Sequence, residues 1–140
     1  MVLAKDLDIP WGVGYGFGKK RNKRSYIEQS WQMQFSAWLK EKGIKHHASP
    51  NGEKRSSRSG AKLKALGMWA GFPDIFIPVM RGGYGALFIE CKTEKTGKLQ
   101  KNQVECHCYL REQGYLVEVA YSFAEAKAKV LLYLSLTQYA

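Results

Sequence analysis

Apolar residues along this chain recur at helical spacing in some stretches and run together over strand-like lengths in others, and the two patterns mark out its elements. Ile27, Trp31, Phe35, Trp38 and Leu39 form one helical stripe, which predicts a helix from Ser25 to about Lys42. Ser25 suits its N-cap, Glu28 the capping-box position and Gly43 the stop. Ile44 to Ala48 reads as a short strand closed by the turn signal Ser49-Pro50-Asn51-Gly52. His46 and His47 would point to opposite faces there, so they cannot both serve one centre. Residues 53 to 70 read as a basic loop followed by a short helix around Lys62 to Trp69, ending in Gly71.

Asp74-Ile75-Phe76-Ile77 and Ala86 to Lys92 are apolar runs separated by Arg81-Gly82-Gly83-Tyr84-Gly85, the pattern of two antiparallel strands joined by a glycine turn. Pro78 cannot donate to a ladder, so the first of them is expected to be short. Thr93 to Gly97 makes a polar turn, and Leu99, Gln103, Cys106 and Leu110 predict a helix from Leu99 to Gly114. Tyr115 to Tyr121 is a further strand, and Ser122-Phe123-Ala124-Glu125 is a capping box for a last helix to about Leu134. The order describes one mixed α/β domain, residues 25 to 140, with a central sheet flanked by helices. Residues 1 to 24 read as an arm in which Trp11, Tyr15 and Phe17 alternate with glycines. Its alternate glycines disfavour a helix and fail the dinucleotide-binding pattern, so no nucleotide cofactor is expected.

The polar ends of the paired strands need a reason. Glu90 and Lys92 point to one face, roughly 7 Å apart, while Cys91 points to the other. Pairing centred near Gly83 would set Asp74 beside Lys92 and diagonal to Glu90, within roughly 5 to 8 Å. Two carboxylates that close repel each other unless a positive charge lies between them, and a divalent cation such as Mg²⁺ supplies it through oxygen ligands. A solvated Glu90–Lys92 ion pair with Asp74 as a turn residue is the plainer alternative. Glu28 has two readings as well, capping its helix or turning to the metal. Gln103 lies on an otherwise apolar face, where its amide either bonds the backbone or reaches the centre.

Charge sharpens the picture. The 140 residues carry a formal net charge of +10, which favours a polyanionic partner. Lys19, Lys20, Arg21, Lys23 and Arg24 form one cluster, and Lys54, Arg55, Arg58, Lys62 and Lys64 another that leads straight to Asp74; phosphate backbones attract both. Cys91, Cys106 and Cys108 lack the spacing of a zinc site or a disulfide framework, and Cys106-His107-Cys108 cannot face one point from a helix. No stretch has the length of a membrane span and no secretory leader opens the chain, so a soluble, cytoplasmic protein is expected.

Glu28 with Gln32, Pro50-Asn51-Gly52, Lys64 to Gly67, Gly71-Phe72-Pro73-Asp74, Ile89-Glu90-Cys91-Lys92, Gly97-Lys98-Leu99 before Gln103, and Gly114-Tyr115 form an ordered series. With it the chain, from Glu28 to about Leu134, resembles the VRR-NUC family, the virus-type replication-repair branch of the PD-(D/E)xK nucleases. The resemblance implies a restriction-endonuclease-like core in which Asp74, Glu90 and the backbone carbonyl of Cys91 hold Mg²⁺ or Mn²⁺. It makes Lys92 the residue that orients or activates water, with Glu28 and Gln103 as additional active-site groups. It further implies a structure-selective DNA endonuclease acting as a homodimer on branched DNA, above all Holliday junctions, and a viral source fits it. A noncatalytic nucleic-acid-binding module on the same fold, and a nuclease for flaps or single-stranded ends, are the alternatives.

Overall fold

The computed structural model describes residues 23–49, 57–93 and 97–138. Its elements are α1 (Lys23–Glu41), β1 (His47–Ala48), α2 (Ser57–Ala65), β2 (Ile75–Ile77), β3 (Leu87–Cys91), α3 (Lys101–Glu112), β4 (Leu116–Ala120) and α4 (Phe123–Ser135). Strand order is β1-β2-β3-β4, antiparallel through β3 and parallel between β3 and β4, so α3 is the crossover of a βαβ unit. The expected mixed sheet flanked by helices is therefore present.

β3 is buried at all five positions, as a central strand between two layers of helix must be. On one face Leu87, Ile89 and Cys91 join Ile75 and Ile77 against Trp31, Phe35, Trp38 and Leu39 of α1 and Ala126, Val130 and Tyr133 of α4. On the other, Ala86 and Phe88 pack with Val117 against Cys106 and Leu110 of α3. Phe88 is ringed by Phe72, Phe76 and Tyr115 at centroid distances of 4.9 to 5.5 Å. Beside Phe72, Leu63, Leu66, Met68 and Trp69 line an open groove of about 480 Å³. No helix among the described residues is long and apolar enough to cross a membrane.

Boundaries differ from expectation in physically readable ways. α1 begins at Lys23, so Ser25 lies inside it rather than capping it. α2 occupies residues 57 to 65, earlier than expected, because Gly67 rather than Gly71 is the stop. Gly67 takes φ +97°, its N–H reaches Lys64 O, and Met68 N–H reaches Leu63 O, the paired bonds of a Schellman close. α1 and α3 end with the same pair of bonds at Gly43 and Gly114, where the sequence placed their stops. β2 does end before Pro78. α4 has Ser122 as its N-cap, accepting from Glu125 N–H at 3.1 Å, while the Glu125 carboxylate accepts from Tyr121 N–H.

Candidate active site

The register of β2 on β3, Ile75 with Ile89 and Ile77 with Leu87, centres the pairing on Gly82. Extended by one step, it sets Asp74 opposite Glu90, two residues short of the expected partner, Lys92, because the centre falls one residue earlier than Gly83. The connection is a looser turn than a simple hairpin: Pro78 stops the ladder, and an isolated bridge between Arg81 and Tyr84 closes around Gly82 and Gly83, both at positive φ. Asp74 Oδ2 accepts the Cys91 N–H at 2.8 Å. The Asp74 backbone carbonyl accepts from Ser49 N–H, tying the acid to the β1 edge. Gly71, three residues earlier, lies against the start of α3 so closely that a Cβ would stand 2.5 Å from Asn102 O. Only glycine fits that approach, and its φ of +89° is one that side-chain-bearing residues rarely adopt.

Glu90 leaves β3 on the α3 side and is 2 % exposed. Lys92 Nζ lies 3.1 Å from its Oε1, and Gln103 Nε2 donates to the same oxygen at 2.6 Å. Gln103 Oε1 is committed to Gln100 N–H at 2.9 Å, so its amide group must present the NH₂ to Glu90. Both readings of Gln103 therefore hold at once: it caps α3 and it reaches the acid.

α1 grips the exit of β3 from the opposite face. Glu28 Oε1 accepts the Thr93 N–H at 3.2 Å, and Trp31 Nε1 donates to Lys92 O at 3.3 Å. Gly97 passes over the same point, where a Cβ would come within 2.7 Å of Lys92 Cβ. Asp74, Glu90, Lys92, Gln103 and Glu28 are thus gathered around the carboxyl end of β3, the end of a parallel strand pair at which α/β sheets commonly hold ligands.

This gathering has an electrostatic cost. Burial, and after it the charge of Glu90, push the Asp74 carboxyl up to about 7, against the opposing pull of the Cys91 N–H and Lys92. Burial likewise pushes the Cys91 thiol up; its side chain faces the apolar core, which leaves its backbone as the group nearest the acids. Cys106, His107 and Cys108 turn to three surroundings, as helical spacing requires: Cys106 into the core, Cys108 to solvent, His107 to Glu90. His107 is not among the residues the sequence pattern singles out for the site, although it stands one helical turn after Gln103. His46 is a structural latch, its ring nitrogens facing Ser36 Oγ at 2.7 Å and Ile44 O at 3.0 Å.

Arg58, Lys62 and Lys64 are exposed on α2. Lys19, Lys20, Arg21, Lys54 and Arg55 lie outside the described residues, and Lys23 and Arg24 are placed only as backbone at the start of α1.

Comparison with known proteins bears on the family and the fold. The VRR-NUC domain model matches residues 19–124. A solved structure described as a VRR_NUC domain protein is similar at 28% sequence identity and a TM-score of 0.69, covering 79% of this chain and 90% of its own. None of the curated proteins matches. The four-stranded mixed sheet and its flanking helices are consistent with the restriction-endonuclease-like core that the family resemblance implied. With the family model spanning most of the chain and a solved relative sharing the architecture, the chain belongs to the VRR-NUC nuclease family.

Proposed function

We propose that the protein is a metal-dependent DNA endonuclease whose centre is Asp74, Glu90 and Lys92. The observation that carries this reading is the pair of opposed carboxylates: Glu90 is almost wholly buried, and Asp74 is pushed up to about 7 beside it, with Lys92 the close cation among the described residues. A fold gains nothing from burying two acids together unless a cation joins them. Among the described residues no three His, Cys, Asp or Glu side chains converge on one point. Two carboxylates without nitrogen or sulfur ligands suit a hard cation that completes its shell with water and substrate phosphate.

Asp74, Glu90 and the backbone carbonyl of Cys91 would hold Mg²⁺ or Mn²⁺. When bound, such an ion supplies Lewis-acid stabilisation of phosphodiester charge and makes water a better nucleophile. Lys92, released from Glu90, orients the attacking water or meets charge on the scissile phosphate. Gln103 fixes Glu90 through Oε1, and Glu28 fixes the strand exit through Thr93. Arg58, Lys62 and Lys64, with the basic residues before and beyond them, contact phosphates without reading bases. By family resemblance the substrate is branched DNA, four-way junctions first, cut by a two-fold dimer whose related sites incise related strands.

The test is a cleavage assay on labelled four-way junction, flap, duplex and single-stranded DNA with Mg²⁺, Mn²⁺ or EDTA, run beside Asp74→Ala. Junction cutting with either metal, none in EDTA, and a variant that binds junctions at least as tightly yet does not cut are expected. Preferred cutting of flaps or single strands would replace the junction assignment. Binding without cutting in every metal would make the protein a noncatalytic module.

A further inference from the structure

Glu90 has a second oxygen that none of these contacts uses. Oε2 is buried without a hydrogen-bond partner, and 3.7 Å from it lies Nε2 of His107, a fully buried residue with neither ring nitrogen bonded. Among the described residues four buried side-chain polar atoms lack partners, and three of them belong to these two residues. Buried polar atoms are nearly always satisfied, so such a concentration marks a place built for something besides packing. Packing alone would be served by leucine or phenylalanine, which fill similar volume with no polar atom to strand.

The helix explains how the pair arises. Gln103 and His107 stand one turn apart on α3, so the same face delivers an amide to Oε1 and an imidazole towards Oε2. The remaining gap is roughly half an ångström beyond hydrogen-bond range, within reach of a small rotation of either side chain. We infer that His107 is a positioning residue for Glu90: its Nε2–H holds Oε2 as Gln103 holds Oε1, fixing the carboxylate in the orientation that a divalent cation requires. An imidazole in either charge state can carry a proton on Nε2, so the role rests on geometry. Partners that orient metal ligands in this way govern affinity for the ion. The inference rests on the metal-dependent reading of the site.

The test measures Mn²⁺ binding to the full chain without DNA, by electron paramagnetic resonance of free Mn²⁺, so that no cleavage enters the readout. His107→Phe and His107→Leu remove the donor, and His107→Gln keeps one near the Nε2 position. Folding of each is checked by circular dichroism and metal-free thermal unfolding. The apolar variants are expected to bind Mn²⁺ about 10- to 100-fold more weakly, with most of the loss restored in His107→Gln. In a Glu90→Gln background, His107→Phe should add no further loss. A folded His107→Phe, or His107→Leu if the former does not fold, that binds Mn²⁺ as the wild type does would overturn the inference. So would a His107→Gln as weak as the apolar variants. A wild type that binds no Mn²⁺ would instead remove the metal reading itself, and this one with it.

Discussion

Leu87, Ile89 and Cys91 turn from β3 towards α1 and α4, whereas Phe88 and Glu90 turn towards α3, and the two sides are finished differently. The first side is apolar throughout and closes over a large core of buried residues from four elements and the β2 strand beside them. The second has a small aromatic core around Phe88 that stops one residue pair short, at a carboxylate with a histidine above it and an aspartate beside it. A chain can hold a destabilising cluster of buried acids only if stability is drawn from elsewhere. Here one strand supplies both, with the division set by the two-residue period of its side chains.

Neighbouring positions break or sustain this division most sharply. Ile89→Ala opens a cavity on the core side and should lower unfolding free energy by about 2 to 5 kcal/mol, measured by urea titration. Its turnover of junction DNA, per folded molecule, should stay near that of the wild type. Glu90→Gln should do the reverse, reducing cleavage on the order of 10³-fold while moving the unfolding midpoint less than Ile89→Ala does. Equal cleavage losses in both variants, once corrected for folded fraction, would show that the two faces are not separable.

The division was legible in part from the sequence. Ile75, Ile77, Leu87 and Ile89 announced a buried strand pair, and Asp74, Glu90 and Lys92 announced polar ends with no structural need. What periodicity could not fix was register, because Arg81 to Gly85 offers several turn centres, and the Arg81–Tyr84 bridge inside the connection is itself one residue out of step with the β2–β3 ladder. The end of α2 was missed for a related reason: Gly67 and Gly71 both offer a stop, both take positive φ, and only the closing hydrogen bonds choose Gly67. His107 was not legible because its cysteine neighbours mimic a ligand trio, which masks its helical spacing to Gln103.

The acid side should also show itself through pH. Asp74 has an ordinary value of 3.8 in an unfolded chain and is pushed up to about 7 in the folded one, chiefly by burial and next by Glu90. Between those values the folded state holds more protons than the unfolded state, so this group's contribution to stability is present at low pH and lost as pH rises through about 7. Asp74→Asn removes that dependence. In EDTA, its stability relative to the wild type should grow from pH 4 upward and level off above about 7, as followed by urea unfolding at each pH. On the proposed metal reading, saturating Mg²⁺ should narrow the difference by binding the native wild-type site. Parallel curves in EDTA would mean that Asp74 is not held in a costly environment.

The smallest expected effect lies at the surface. α2 carries Arg58, Lys62 and Lys64 and no acid, and it stands on the Phe72 side of the sheet, where the candidate site lies. On the opposite side Lys127 of α4 lies 5.5 Å from the centre of the Trp38 ring, committed to the core layer. If DNA approaches only the acid side, removing charge from α2 must matter and removing it from α4 must not. Arg58→Ala and Lys62→Ala, one helical turn apart, should each weaken junction binding in a catalytically inactive background and flatten the log–log salt dependence by about 0.9 for each phosphate no longer neutralised. Lys127→Ala should leave that slope unchanged, since a cation away from the DNA path releases no counterions. Equal changes in slope from the two sides would mean that the polyanion wraps the domain, and the division along β3 would then govern chemistry alone and not the path of the substrate.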